Sequence, residues 1–290
     1  MKTIAMTGAS GFVGQVLTKH FEASRMQVVA IPRAVLSQPK ELDSIITKSD
    51  IVINLAGASI IRRWSASYKE LLYHSRIDTT KAIVDAMQRC RSKPQLFIST
   101  SAVGIYPQEG VYSEDDSLLG DDFLAELCKS WEAEALKASG IGIRTAIFRF
   151  GIVLGKDGGA LAKMLTPFKL GIGGVIGDGS QAVSFIHRDD LMAAYIHIIE
   201  HDNLEGVFNL TAPTPTTNRG LTKALGEYLN RPTLLPLPAF ILKLLLGEGA
   251  SILTEGQSVL PKRLLESGFV FEYPTIEKAI ERALKSLGGS

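Results

Sequence analysis

Residues 2–33 read KTIAMTGASGFVGQVLTKHFEASRMQVVAIPR. KTIAMT is a short apolar run suited to a strand buried on both faces, as in a parallel sheet. VLTKHFEAS has apolar residues at helical spacing, and MQVVAIP is a second strand. The stretch predicts a strand–helix–strand unit whose turn, GASGFVG, opens the helix. Its glycines, Gly8, Gly11 and Gly14, follow the spacing GxxGxxG. In that context Gly8 permits the tight turn, Gly11 lets backbone approach a pyrophosphate, and Gly14 lets the helix pack close to the strand. Free N–H groups around Ser10, Phe12 and Val13, at the helix start, then face the phosphates. A turn without a ligand can carry the same triplet. The strand before it and the helix after it point instead to a dinucleotide site.

The end of the second strand bears on the choice of dinucleotide. NAD sites place an acid there for the ribose hydroxyls, and NADP sites favour a base for the 2′-phosphate. Here the chain runs Pro32–Arg33, with no acid before Glu41. Arg33 is either a solvated surface arginine or the 2′-phosphate partner, and the missing acid argues for NADP(H).

Outward from this unit the pattern repeats. DIVINLAG (50–57) is a third strand ending in small residues. A long helix spans about 66–89, QLFIST follows Pro94 as a fourth strand, and DDFLAELCKSWEAEAL (121–136) is the next helix, followed by the strand IRTAIFRFG. Alternating strands and helices predict an α/β, Rossmann-type, doubly wound parallel sheet. Ligands on such sheets lie at the carboxyl ends of the strands. Besides the glycine turn and Arg33, those ends hold Leu55, Ala56 and Gly57; Ser99, Thr100 and Ser101; and Arg149, Phe150 and Gly151.

The composition is compatible with this reading. The 290 residues are 46% hydrophobic, enough for one large domain or two joined ones. The net charge of +1 gives no bulk field for nucleic acid or an acidic membrane. Two cysteines, Cys90 and Cys128, suit a reducing compartment better than a disulfide scaffold. The N-terminal apolar run is too short for a signal peptide, and PAFILKLLLGEG is too short to span a bilayer. The expectation is a cytoplasmic protein without a metal site, a monomer or homodimer, with a small-molecule substrate as its partner.

TGASGFVG, NLAG, STSAVGIY and FIHRDDL together resemble the extended short-chain dehydrogenase/reductase superfamily. More narrowly, RRW, the SR of HSRIDTT, RFGIVLGKDGGAL, LGIGGVIGDGSQ, TAPTPTTN and LPKRLLESGFVFEYP are similar to YfcH-type "epimerase family" proteins, NADP-binding members with no assigned substrate. The resemblance covers nearly the whole chain. It implies a small extra C-terminal domain from about Leu237.

The resemblance implies a strand-end Ser or Thr that orients a substrate oxygen, then a helical Tyr as acid or base, and a Lys one turn later. The spacing has a physical reason, because residues four apart share a helix face and a nearby ammonium favours phenolate. Ser101 best matches the hydroxyl, with Ser99 and Thr100 able to exchange roles if the register shifts. If Glu132 takes the acidic position that usually follows the Tyr/Lys pair, the pair falls on Leu124 and Cys128. No tyrosine lies between Tyr112 and Tyr195 to restore it. Leu124, Leu127, Cys128 and Trp131 read as a core stripe, and Glu126, Lys129, Glu132 and Glu134 as a solvated or lateral face.

Substitutes are Tyr106, the phenol nearest Ser101 in sequence, and Arg76, which replaces the Asn common in the superfamily and can stabilise negative charge on a substrate oxygen. Arg63 and Trp64 lie in a loop after the third strand, where they can cover the nicotinamide, and Trp64 reads equally as plain loop packing. His187 and Asp190 read as braces of the sheet and the start of a helix. The segment Gln181–Ser184 lacks the Arg that grips a sugar-nucleotide diphosphate.

The expected division is a dinucleotide-binding domain over 1–212, with 155–182 reaching into the cleft, and a smaller α/β substrate lobe over 213–290. Helices are expected at about 218–230, 238–247 and 275–287. The functional expectation is an NADP(H)-dependent oxidoreductase or epimerase-like enzyme acting on a small carbonyl or alcohol, with Tyr106, Cys128 or water as proton donor. The alternative is a non-catalytic NADP(H)-binding sensor.

Overall fold

The computed structural model describes residues 1–285. Its first half runs β1 (Thr3–Thr7), α1 (Phe12–Ala23), β2 (Gln27–Ile31), α2 (Pro39–Thr47), β3 (Ile51–Asn54), α3 (Ala66–Arg89), β4 (Leu96–Ala102), β5 (Val111–Tyr112), α4 (Phe123–Gly140) and β6 (Arg144–Phe150). The second half runs β7 (Ile152–Leu154), α5 (Gly159–Lys169), β8 (Ala182–Val183), β9 (Phe185–His187), α6 (Arg188–Glu200), β10 (Gly206–Leu210), β11 (Thr216–Thr217) and α7 (Asn218–Leu229). It ends with α8 (Ala239–Leu246), α9 (Ser251–Thr254), β12 (Ser258–Val259), α10 (Lys262–Glu266) and α11 (Ile276–Lys285). The end of the helix expected over 275–287 lies outside the described residues.

Six parallel strands form the main sheet in the order β10-β6-β4-β3-β1-β2. The chain moves from β1 outward to β2, then returns to β3 on the other side of β1. The strand order therefore reverses between β1 and β3, where a doubly wound sheet opens a crevice at its carboxyl edge. β10, which the sequence reading did not anticipate, closes the far edge beside β6.

Alternation along the strands supplies both faces of the sheet. Ile4, Met6, Ile53, Ile98 and Phe148 point to one side and pack with Leu17, Phe21 and Tyr195 of α1 and α6. Ala5, Val52, Phe97 and Ile147 point to the other, against Ile83, Met87 and Ala138 of α3 and α4. Helix starts are set by local caps: Ser65 accepts from Tyr68 N (3.2 Å) ahead of α3, and Asp122 from Ala125 N (2.8 Å) ahead of α4.

The C-terminal segments do not keep to a core of their own. Leu264, Phe269 and Phe271 join the core of the main sheet, whereas α7 and α11 share a cluster with Leu161 and Leu165 of α5. The Asp190 carboxylate fastens this arrangement by accepting from the backbone N–H of Glu272 (2.9 Å) and Tyr273 (3.0 Å). The glycine segment 171–179 is held by backbone pairing, Leu237 N to Val175 O (2.8 Å) and Gly177 N to Leu237 O (3.0 Å).

His187 caps α6 by accepting from Asp189 N through Nδ1 (3.1 Å), and its Nε2 is buried without a partner. Burial pulls its pKa from 6.5 to about 4, against the opposing charge of Asp189. Between those values the unfolded chain binds the extra proton, so stability is lost as pH falls through this window. Asp190, pushed up by burial, opposes the trend only at the acid end. The unfolding free energy from urea titrations should fall between pH 6.5 and 4.5, by on the order of 1 kcal/mol per pH unit. His187→Asn, which keeps a capping acceptor but does not titrate, should flatten that slope; an unchanged slope refutes the assignment.

Candidate functional site

The glycine turn forms the left wall of the crevice. Gly8 adopts φ +69°, and a Cβ there would lie 3.0 Å from the Leu55 carbonyl. Gly11 N donates to Gly8 O (2.9 Å), and the α1 ladder starts with Gln15 N to Gly11 O (2.9 Å). The N–H groups of Phe12, Val13 and Gly14 precede that first bond, and Gly11 offers no side chain to cap them. A cradle of free N–H groups at a helix N-terminus fits a pyrophosphate. Phe12 is enclosed by a second glycine loop: Cβ atoms at Gly155 and Gly158 would meet its ring at 2.7 and 2.5 Å. Arg188 to Asp157 (2.7 Å) pins that loop. Ser10 is exposed at the mouth of the turn, and Arg33 is exposed just past β2.

The floor beside it is the end of β3. Thr7 Oγ1 donates to Asn54 Oδ1 (2.7 Å) and accepts from Leu55 N and Ala56 N (3.2 and 3.3 Å). Asn54 Nδ2 continues to Thr80 Oγ1 (2.8 Å), which also accepts from Trp131 Nε1 (2.9 Å). This buried chain fixes Leu55–Gly57 relative to α3 and α4. Behind Gly57 lies the Arg76 guanidinium, its Cζ 3.1 Å from where a Cβ would stand. Arg76 Nη2 donates to Ala58 O (3.0 Å).

The strand-end groups of β4 and β6 are arranged differently from the expectation. Ser101 and Arg149 are register partners, and both turn toward α4. Arg149 makes a bidentate pair with Glu132, Nε to Oε1 (2.8 Å) and Nη2 to Oε2 (2.7 Å). Ser101 Oγ donates to Glu132 Oε1 (2.6 Å). Arg149 Nη1 donates to the Tyr106 hydroxyl (2.6 Å), which donates to Asn209 Oδ1 (3.0 Å). Arg149 therefore belongs to a buried ion pair instead of the cofactor surface. Burial lowers its pKa, but the hydrogen bonds and charge of Glu132 more than reverse this and leave it raised. Tyr106 is only 1% exposed, and burial raises its pKa despite Arg149. Its placement does not suit the expected role of proton donor. Ser101, also 1% exposed, has its proton engaged by Glu132.

Glu132 and Glu134 were expected on a solvated or lateral face, yet both are buried, and Glu134 pairs with Lys137 (2.6 Å). Burial pushes the Cys128 thiol up to about 12, so it is neutral and unreactive. Ser99 and Thr100 hydroxyls are buried without partners, while Phe150 is half-buried and Gly151 lies against the Ser184 carbonyl, 2.6 Å from a would-be Cβ. Sequence reasoning passed over Asn209 and Glu114. Glu114 accepts from Asn209 N (2.7 Å) and ties the loop after β5 to β10.

A cavity of about 460 Å³ opens beside the amino end of α4. Trp64, Phe123 and Leu124 form its apolar wall, with Trp64 and Phe123 edge-on at 5.4 Å. Gln108, Ser251 and Thr254 add neutral polar groups. The lining acids are engaged: Asp122 caps α4, Glu248 pairs with Lys69, and Glu255 accepts from Gln108 (2.6 Å). Lys243 is the one basic lining residue among the described residues. The far wall comes from 243–255; within 155–182, Gly155 and Gly158 lie against Phe12, and Val175 and Gly177 pair with the backbone of Leu237. Among the described residues no His/Cys/Asp/Glu cluster could hold a metal, and no helix is long and apolar enough to cross a membrane.

A glycine cradle at the reversal point of a parallel sheet, with a cavity completed by C-terminal segments, defines an NAD(P)-binding protein of the short-chain dehydrogenase/reductase fold. The "NAD dependent epimerase/dehydratase family" model matches residues 4–211, and the chain belongs to that family. Residues 237–283 match a second model, a "domain of unknown function". The chain is 38% identical to the Arabidopsis thaliana "epimerase family protein SDR39U1 homolog, chloroplastic", covering 98% of this chain and 87% of that protein. It is 35% identical to the Bacillus subtilis "epimerase family protein YfhF", covering 97% of each. The crystal structure of human epimerase family protein SDR39U1 with NADPH superposes with a TM-score of 0.90 at 30% identity, covering 98% and 99% of the two chains. A UDP-glucuronic acid 4-epimerase from Bacillus cereus shares the fold, with a TM-score of 0.76 at 18% identity and coverage of 98% and 99%.

Proposed function

We propose that the protein is an NADP(H)-dependent oxidoreductase acting on a small, uncharged carbonyl or alcohol. The observation that carries this reading is the cavity beside Leu124, whose one apolar wall is Trp64, Phe123 and Leu124 and whose three lining acids are all engaged. Bound NADPH would supply the hydride. The helix α1 N–H groups hold its pyrophosphate, Arg33 meets the 2′-phosphate, and Leu55–Gly57 lie along the central part of the crevice. Trp64 and Leu124 orient the substrate and exclude solvent from its apolar side. With Tyr106 and Cys128 buried and protonated, the proton comes from water entering the cavity.

A sugar nucleotide is disfavoured. Its diphosphate needs several cations or N–H donors, and Lys243 stands among three lining acids.

The test is NADPH consumption against a panel of small aldehydes and ketones, with NADPH binding measured in parallel by calorimetry. Turnover with apolar carbonyls supports the proposal. NADPH bound but never consumed favours a second reading, a cofactor-sensing protein, for which Leu124 and Cys128 on α4 are the supporting observation.

Arg33→Ala checks the cofactor assignment. Losing a charge-assisted contact to the 2′-phosphate should weaken NADPH by about 10- to 100-fold, with NADH little changed. Equal losses for both would show that Arg33 does not read the phosphate.

A further inference from the structure

Arg76 is a buried cation whose hydrogen bonds all run to neutral oxygens. Its Nη1 donates to Leu72 O (3.1 Å) and Ser75 Oγ (3.5 Å), and Nη2 donates to Ala58 O (3.0 Å). Among the described residues no carboxylate pairs with it, and only 9% of its surface is exposed. Burial lowers its pKa, and the groups that push back are Cys128 and Tyr68, neither of them a carboxylate. An arginine still remains charged from so high a starting value.

The surroundings concentrate this charge on the crevice floor. The guanidinium backs onto Gly57, and its Cζ is 5.3 Å from the Trp131 ring centroid. The neighbouring Cys128 is neutral, since burial raises its thiol pKa to about 12. The next acid along α4, Glu132, is already neutralised by Arg149 (2.7 Å). The floor on the β3–β4 side thus carries one unbalanced positive charge. A dinucleotide crosses this sheet where the order reverses, between β1 and β3. If Arg33 holds the adenosine half beside β2, the nicotinamide half would fall on the β3–β4 side, where Arg76 stands behind Gly57.

We infer that Arg76 makes the site select the reduced cofactor, binding NADPH in preference to NADP⁺. The two forms carry the same phosphates and differ in the ring, neutral when reduced and cationic when oxidised. A fixed, poorly screened cation beneath the ring repels only the oxidised form. The charge also takes the place of the lysine cation that α4 lacks at Cys128, but delivers it from α3. The inference rests on the NADP(H) reading above and adds which redox form fills the site; the tighter grip on NADPH leaves the overall equilibrium of any reaction unchanged.

Calorimetric titration with NADPH and with NADP⁺ tests it on the wild-type chain, Arg76→Lys and Arg76→Gln. Wild type should bind NADPH about tenfold more tightly than NADP⁺. Arg76→Lys, which keeps the charge, should retain most of that ratio, and Arg76→Gln should bring it within about threefold. Arg33→Ala should weaken both forms and leave the ratio unchanged. Equal wild-type affinities overturn the inference even if Arg76→Gln fails to fold, and so does an unchanged ratio in a folded Arg76→Gln. Binding of neither nucleotide overturns the NADP(H) reading itself, and the inference with it.

Discussion

Glu132→Ala should lower the unfolding free energy by about 3–5 kcal/mol, read from urea denaturation at neutral pH. The substitution strands the Arg149 guanidinium, 6% exposed, without its carboxylate, and removes the acceptor of the Ser101 hydroxyl at the same time. Most of the loss is the cost of leaving a buried charge unpaired, not the intrinsic worth of the pair. A double variant, Glu132→Leu with Arg149→Met, removes both charges and should recover more than half of it. If Glu132→Ala costs under about 1 kcal/mol, water reaches Arg149 and the network is not the buried lock described above.

Gly14→Ala should raise the NADPH dissociation constant by at least about 100-fold and destabilise the fold by about 1–3 kcal/mol. A Cβ at Gly14 would lie 2.2 Å from Gly8 O and 2.7 Å from Ala9 Cα, so backbone must move. That movement separates the turn from the first N–H groups of α1, which together form the anion cradle. Alanine's better helix propensity, worth about 1 kcal/mol over glycine, is too small to compensate. Gly140→Ala, at the end of α4 with nothing within 4 Å of a new Cβ, is the control and should be neutral or slightly stabilising. Unchanged NADPH affinity in Gly14→Ala would mean the phosphates bind elsewhere.

These two substitutions mark what could be read before the structure was known. Gly14 was legible because its role is local. A glycine between an apolar strand and an amphipathic helix has few other purposes, and the contact it permits lies six residues away at Gly8. Glu132 was legible as a position but not as an environment. On one helix, Glu126, Lys129, Glu132 and Glu134 look alike. Only the packing of α4 over β4 and β6 separates Glu126, which meets Lys129 in solvent, from Glu132, which meets Arg149 in the core. Tyr106 was misplaced for the same reason. Nearness to Ser101 in sequence puts it in the same loop, but the direction of its phenol is set by Arg149 and by Asn209 on β10.

The sequence by itself determined the parallel sheet, the position of its crevice, the glycine cradle and the absence of a tyrosine from α4. All of these depend on periodicity and on backbone conformations that only certain residues allow, and both are written along the chain. The tertiary structure alone decided which charges are paired. It assigned Arg149 to Glu132, left Arg76 unpaired behind Gly57, and built the cavity from segments about 180 residues apart, Trp64 with 243–255. The physical reason is that burial and ion pairing depend on distances through space, and those are set only when separate helices and strands pack against one another.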